Sequence, residues 1–126
     1  MQLTKNVVLG EMACRCGCGC EKKPEVLREI KRLAPLLQAI RDHFGARIWM
    51  TSGARCRAHN KAEGGSTGSF HILGMAADIV IEGATPEEVV AFAATLPAIG
   101  AAVPYPGRTH VDTRPRVNGK ALTKWE

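Results

Sequence analysis

Three segments of this 126-residue chain carry side chains that commonly bind metal ions. They contain His71, Asp78 and His110. A catalytic zinc ion takes three protein ligands, often two histidines and one carboxylate, and leaves a fourth position for water. An ion bound in this way lowers the pKa of its water and polarises a carbonyl group. The three residue types therefore suit metal-assisted hydrolysis, provided that the fold brings them together.

The predicted strands give these residues a plausible scaffold. Residues 77–81 form an apolar run around Asp78 that predicts a largely buried strand, and residues 109–113 alternate β-branched and polar side chains. The strand period of two places His110 and Asp112 on one face. Each residue alone is weak evidence, because a single histidine is more often structural and an aspartate at a strand start is usually a turn residue.

The first predicted helix covers residues 24–44. Its apolar side chains recur at alternating steps of four and three, which is typical of an amphipathic helix, and Gly45 supplies a stop signal. Pro35 lies inside this stripe, where it lacks a backbone donor and crowds the preceding turn. We expect either a kink or two consecutive helices. The stripe consists of Val26, Ile30, Leu33, Leu37, Ile40 and Phe44.

The remaining pattern completes an α+β prediction. Residues 48–51 predict a short strand, and the Gly- and Ser-rich stretch 52–68 predicts a long functional loop. Thr85-Pro86-Glu87-Glu88 combines an N-cap, a first-turn proline and a capping glutamate, so a helix should follow to about Leu96. After Pro97 a Gly/Ala/Pro-rich connection leads to the last strand. We predict one domain over residues 1–126.

Composition narrows the class of protein. Hydrophobic residues make up 45% and charged residues 23%, which is typical of a soluble globular domain. No apolar run approaches the roughly 20 residues of a membrane span, and residues 1–10 lack a signal peptide's apolar centre. We expect cytoplasmic synthesis and no membrane insertion. The net charge of +5 is spread out and aromatics are only 5%, so nucleic acid is not an expected partner, although salt-sensitive DNA binding would reveal one.

Four motifs then resemble a known family in their order along the chain. They are Thr51-Ser52-Gly53-Ala54-Arg55; His59-Asn60 followed by Gly64-Gly65; Ser69-x-His71-x-x-Gly74-x-Ala76-x-Asp78; and His110-Val111-Asp112-Thr113-Arg114. Together they resemble peptidase family M15, the zinc D-Ala-D-Ala carboxypeptidases and peptidoglycan endopeptidases, and in particular its short subfamily common in phages and prophages. The resemblance covers nearly the whole chain.

The resemblance implies a fold, a site and a function. It implies an antiparallel sheet that carries Zn²⁺, with helices packed on it, as in hedgehog and DD-peptidase domains. The zinc ligands would be His71, Asp78 and His110, while Arg55, Ser69 and Tyr105 would contact substrate. The implied reaction is hydrolysis of a peptide bond in peptidoglycan stem peptides or cross-bridges. We expect a monomer that acts at the cell wall, through phage lysis or a virion tail.

The catalytic base is the point at which this sequence departs from the family. Many relatives place an acidic residue three positions before the last histidine, where this chain has Gly107. Asp112 is the hypothesis for the base, and it would act together with Arg55 in catalysis. Two alternatives stay open for Asp112: a role in orienting His110, or a role as a ligand itself. Ala54, Phe70 and residues 101–103 also differ from the usual pattern and concern substrate preference.

The cysteines leave several alternatives open. Four of the five lie in the Cys-rich N-terminal segment 1–23, at Cys14, Cys16, Cys18 and Cys20, and one-residue gaps do not match the paired C-x-x-C knuckles of a zinc ribbon. Relatives often carry cysteines here. Because Cys56 directly follows Arg55, a disulfide from the cluster to Cys56 would brace the substrate loop. A structural metal site and free thiols are the other two readings. A non-catalytic wall-binding or virion protein is the alternative function.

Overall fold

The computed structural model of the protein describes residues 1–125 and shows a four-stranded antiparallel sheet packed against helices. Helix α1 spans Pro24–Phe44, α2 Arg57–Ala62 and α3 Pro86–Ala93. The strands are β1 (Ile48–Ser52), β2 (Ala76–Ile81), β3 (Ala101–Tyr105) and β4 (Arg108–Asp112), in the spatial order β1-β2-β4-β3. The α+β prediction is confirmed.

Helix α1 presents its predicted apolar stripe to the sheet. Ile30, Leu33, Leu37 and Ile40 have no exposed surface, and Gly45 ends the helix in the left-handed conformation with φ of 58°. The expectation of two helices is wrong, because α1 runs unbroken through Pro35. Pro35 and Lys31, whose carbonyl loses its helical partner, are both exposed, so water can satisfy that carbonyl.

The two faces of the sheet have different chemistry. Ala77, Ile79 and Ile81 of β2 and Val111 of β4 belong to the hydrophobic core. Because side chains alternate along a strand, the residues between them face the other way. Asp78 and His110 lie on this opposite, polar face, as register partners on adjacent strands.

The capping signal before α3 is confirmed atom by atom. The Glu88 N–H donates to Thr85 Oγ1 at 3.1 Å, and the Thr85 N–H donates to Glu88 Oε1 at 3.0 Å. This exchange satisfies two donors that a helix start leaves unpaired. The hydrogen bonds also hold the pKa of the Glu88 carboxyl below its ordinary value. The helix ends at Ala93, three residues before the predicted Leu96.

Two predicted connections contain regular structure. The stretch 52–68 includes α2, whose start is capped by Cys56 Sγ accepting from the His59 N–H. The connection after Pro97 contains β3, an edge strand in which Pro104 pairs with Thr109 of β4. Proline is tolerated at a sheet edge because a missing donor there breaks no ladder. Within residues 1–125, no helix is long and apolar enough to cross a membrane.

Candidate metal centre

The sheet brings the three predicted ligands to one point. Asp78 on β2 and His110 on β4 are directly opposite each other, and His71 reaches them from the turn that precedes β2. One side-chain donor atom from each residue lies within 4.8 Å of the other two. All three residues are buried. The three residues could therefore hold a small cation.

The turn that carries His71 is held by a glycine. Gly74 adopts φ of 78°, and a Cβ atom there would lie 2.6 Å from the Val26 carbonyl oxygen of α1. Only glycine fits both the conformation and the close approach. The Gly74 N–H also donates to the His71 carbonyl at 3.2 Å, which closes the turn. Packing against α1 thus sets the position from which His71 points at the sheet.

Hydrogen bonds fix which nitrogen of each imidazole faces the pocket. His71 Nδ1 lies 2.7 Å from the Gly53 carbonyl oxygen, and His110 Nε2 lies 2.7 Å from Asp112 Oδ2. Both acceptors require an N–H, so the other nitrogen of each ring carries a lone pair. His71 Nε2 and His110 Nδ1 then point at Asp78 Oδ1 from 3.3 and 3.2 Å. Two lone pairs and a carboxylate facing one another need a cation between them.

The donor set fits a zinc ion. Two imidazole nitrogens and one carboxylate oxygen, with the outer nitrogen of each ring hydrogen-bonded to a carbonyl or carboxylate, are typical of catalytic zinc sites. Without a metal, protons take its place. Burial lowers the pKa of His110, but contacts with Asp112 and Asp78 raise it more. Burial raises the pKa of Asp78, while hydrogen bonds from His110 and His71 outweigh it and hold the pKa below its ordinary value.

The structure places Asp112 behind His110, on the side away from Asp78. Asp112 has no exposed surface, and it does not line the cavity over the metal centre. Both carboxylate oxygens are bound to Arg114, with Nε at 2.9 Å from Oδ1 and Nη2 at 2.6 Å from Oδ2. Burial raises the pKa of Asp112, but His110 and Arg114 outweigh burial and hold the pKa below its ordinary value. This position favours the alternative in which Asp112 orients His110 over the hypothesis that Asp112 is the base.

The predicted substrate residue Arg55 does reach the centre. Its Nη2 lies 3.4 Å from Asp78 Oδ2, its Nε donates to Ser52 Oγ at 3.0 Å, and its Nη1 donates to Asn60 Oδ1 at 3.2 Å. Asn60 is buried and donates to the Ser66 carbonyl at 2.7 Å. Asn60 therefore orders the loop that holds Arg55.

A cavity of about 590 Å³ lies above the three ligands. Ser69 and Tyr105, the other two predicted substrate residues, both line it. Ser69 also accepts the His71 N–H at 3.3 Å, so it supports the ligand turn. Three arginines, Arg55, Arg108 and Arg114, also line the cavity, so positive charge predominates among the other charged side chains of its walls. The cavity suits a substrate that carries carboxylate groups.

The sequence motifs did not predict several of the residues that line the cavity. Arg108 precedes His110 by two positions in β4, so the period of two could have found it. Trp125 contacts His110 edge to face, with ring centroids 5.1 Å apart, and donates from Nε1 to the Tyr105 hydroxyl. Nothing in the sequence near Trp125 indicates that contact. Glu63 also lines the cavity, and it is the one lining carboxylate, among residues 1–125, outside the predicted ligand set.

Gly107, where relatives often have an acid, lies away from this cavity. It occupies the two-residue turn between β3 and β4 with φ of 77°, and it is absent from the lining residues. A left-handed turn position favours glycine. The missing acid is therefore explained locally by the hairpin, and any base must come from another part of the chain.

Comparison with known proteins supports the family that the motifs indicate. A family model described as Peptidase M15 matches residues 5–112, which include all three predicted ligands. No curated protein matches the chain. M15 peptidases are generally metal-dependent, and the His71, Asp78 and His110 group could bind the metal. The match covers most of the 126 residues, and the chain therefore belongs to peptidase family M15.

Proposed function

We propose that this protein is a zinc-dependent peptidase that hydrolyses a peptide bond in peptidoglycan stem peptides or cross-bridges. The observation that carries the proposal is the convergence of His71 Nε2, His110 Nδ1 and the Asp78 carboxylate beneath a cavity walled by arginines. A zinc ion held there supplies Lewis acidity to a peptide carbonyl and makes water nucleophilic near neutral pH. The proposal extends to action at the cell wall in a phage or prophage context, as the motif resemblance implies.

Arg55 and Arg108 are the residues that would hold the substrate. Arg55 is fixed by three hydrogen bonds in the cavity wall, so its charge is already in place when a carbonyl oxygen becomes negative. Arg108 is 41% exposed, and its only ion pair in residues 1–125 is a 3.7 Å contact with Asp78. A partly exposed guanidinium can bind a carboxylate in two-pronged fashion. Stem peptides carry such carboxylates, both along the chain and at the terminal D-alanine.

Two acidic residues have different roles in this proposal: Asp112 orients a metal ligand, and Glu63 is the general base. Asp112 accepts from His110 Nε2 and so keeps Nδ1 directed at the metal site, which makes it a positioning residue. Glu63 borders the cavity, is 52% exposed, and contacts His59 Nε2 at 3.3 Å. It is the carboxylate available to accept a proton from water during attack. We assign the general base to Glu63.

Digestion of defined muropeptides tests the function. Zinc-loaded protein is incubated with a stem pentapeptide ending in D-Ala-D-Ala and with a cross-linked dimer, and the products are weighed by mass spectrometry. We expect one bond to be cleaved, with terminal alanine release indicating a carboxypeptidase and dimer cleavage an endopeptidase. His71→Ala should reduce cleavage to background. His43→Ala is the matched control, because His43 stacks on Phe92 away from the cavity.

Two outcomes would contradict the proposal. Cleavage by His71→Ala at the wild-type rate would separate hydrolysis from the metal centre. Fully zinc-loaded wild-type protein that binds peptidoglycan and cleaves neither substrate would instead support the alternative, a non-catalytic wall-binding or virion module.

A further inference from the structure

A second group of metal-capable side chains lies outside the catalytic cavity. The Sγ atoms of Cys14, Cys16, Cys18 and Cys56 all lie within 4.8 Å of one another. Cys14 and Cys16 are 3.3 Å apart, and Cys16 and Cys56 are 3.6 Å apart. Sulfur atoms in a disulfide are about 2.05 Å apart. With metal–sulfur bonds of about 2.3 Å, the sulfurs of a tetrahedral tetrathiolate site are roughly 3.8 Å apart. The spacing therefore fits a shared ion.

Two glycines let closely spaced cysteines converge. Gly17 and Gly19 adopt φ of 80° and 79°, and no atom lies within 4 Å of where their Cβ atoms would be. Glycine is required there for backbone conformation and not for space. The Gly17 N–H donates to the Cys14 carbonyl at 3.0 Å, which closes a turn around Cys16. These turns allow one-residue gaps to do what a C-x-x-C knuckle does elsewhere.

Backbone donors and nearby cations suit thiolate ligands. The Cys56 N–H donates to Cys14 Sγ at 3.5 Å, and the His59 N–H donates to Cys56 Sγ at 3.3 Å. Four thiolates around a divalent ion carry a net charge of −2, which N–H groups and cations stabilise. A cavity beside Cys56 is also lined by four cations, which outnumber its two carboxylates, Glu25 and Glu29; the cations are Lys23, Arg28, Arg55 and Arg57. This environment favours a charged site over four neutral thiols.

We propose that Cys14, Cys16, Cys18 and Cys56 bind a second, structural Zn²⁺ ion. Three ligands come from the N-terminal segment and one from the loop between β1 and α2, so the ion would join two parts of the chain that are distant in sequence. A metal bound only by the folded chain contributes its binding free energy to folding. The buried Cys20 is outside the set of four.

The ion would brace the loop that organises the catalytic centre. Cys56 directly follows Arg55, and the Gly53 carbonyl in the same loop accepts the Nδ1–H of the ligand His71 at 2.7 Å. The Ala54 N–H donates to the Met12 carbonyl at 2.9 Å, so the loop already lies against the N-terminal segment. Tying Cys56 to that segment fixes both the Arg55 guanidinium and the tautomer of His71. The inferred site is thus a clamp on the active-site loop.

Metal content of the full chain tests this inference independently of activity. Protein purified with zinc and freed of loosely bound metal should contain two zinc ions per chain. Cys16→Ser and Cys56→Ser should each contain one, and so should His71→Ala. Serine at position 56 can still cap α2 by accepting the His59 N–H, so its effect reports the lost thiolate. Cys20→Ala is the matched control and should keep both ions.

Cobalt identifies the ligands of the ion. Co²⁺ added to metal-free protein should give the intense visible bands and the sulfur-to-cobalt charge-transfer absorption of a tetrathiolate site. These bands should persist in His71→Ala and disappear in Cys16→Ser. One zinc ion per wild-type chain, unchanged in Cys16→Ser, would overturn the proposal. So would an intact mass showing that the cysteines of the purified protein are oxidised to disulfides.

Discussion

The two candidate metal sites of this protein are built in opposite ways. His71, Asp78 and His110 are buried, two of them lie on adjacent strands, and both imidazoles are oriented by other groups. The cysteine cluster lies in irregular chain, and Cys16 and Cys18 are exposed. The first site is preorganised by the sheet before any ion binds. The second site is held by turns and a few hydrogen bonds, so we expect its ion to order this part of the chain.

This contrast separates activity from stability. Removing the metal from the sheet site should abolish chemistry and leave the fold almost unchanged, because the core and the strand pairing remain. Removing it from the cysteine site should loosen the N-terminal segment and the Arg55 loop. Substitutions at the two sites should therefore differ in their effects on rate, zinc affinity and unfolding free energy.

Glu63→Gln should have the largest effect on the rate of hydrolysis and should leave zinc binding unchanged. Losing a general base typically costs about 10²–10⁴-fold in rate. We expect kcat to fall by about 100-fold or more at any zinc concentration, with zinc content unchanged, because the ion pair of Glu63 is with His59, which is not one of the three ligands. Steady-state kinetics with and without added zinc measure this effect. A Glu63→Gln variant with the wild-type kcat would exclude Glu63 as the base.

Asp112→Asn should weaken the metal centre itself. Loss of a carboxylate that orients a ligating histidine typically costs 10–100-fold in metal affinity or activity. We expect about that loss in zinc affinity, and activity that recovers when zinc is added in excess. Zinc titration of the metal-free variant measures this shift. A loss of activity that excess zinc does not restore would return Asp112 to the role of base.

Cys56→Ser should lower stability more than His71→Ala does. Cross-links between distant parts of a chain typically contribute about 2–4 kcal/mol, and we expect a decrease of that order in the free energy of unfolding. Both variants lose the binding free energy of one zinc ion, but only Cys56→Ser should also lose the order of the N-terminal segment and the Arg55 loop, since the sheet persists without an ion. Denaturant unfolding of the zinc-loaded proteins compares them. Equal losses in the two variants would remove the contrast between the sites.

Gly53→Ala should have the smallest effect of these, at the contact between the loop and the N-terminal segment. A Cβ atom at this position would lie 2.6 Å from Met12 Cα and 2.7 Å from its carbonyl oxygen. Backbone atoms cannot turn aside as a flexible side chain can, so we expect a cost of about 1–3 kcal/mol. Gly10→Ala is the control, since nothing lies within 4 Å of its Cβ position. Equal unfolding free energies for the two variants would show that this contact is soft.

Local sequence signals predicted the parts of the fold that depend on local physics. The apolar stripe predicted α1, Thr85 and Glu88 predicted the start of α3, and the strand period placed His110 and Asp112 on one face. Strand β3 was missed because Ala101, Ala102 and Pro104 have low strand propensity and are held by pairing with β4. Its edge position became visible only with the sheet order.

The candidate metal ligands could be predicted from the sequence, whereas several groups around them could not. Residue type and motif order singled out His71, Asp78 and His110. The sheet register pairs Asp78 with His110, and the turn before β2 adds His71. The partner of Asp112 could not be read from spacing, since the same strand face leads both to the cavity and to Arg114. Glu63 and Trp125 reach the cavity through tertiary packing alone. No local pattern in the chain marks either of them.

Anomalous diffraction at the zinc absorption edge, from crystals of the zinc-loaded protein, would locate the metal ion and identify its ligands. We predict an anomalous peak about 2.0–2.2 Å from His71 Nε2, from His110 Nδ1 and from a carboxylate oxygen of Asp78, with Asp112 still bound to His110 Nε2. Absence of a peak between these residues would contradict the assignment of a zinc centre. A peak bonded to His110 Nε2, with Asp112 displaced, would contradict the tautomers on which it rests.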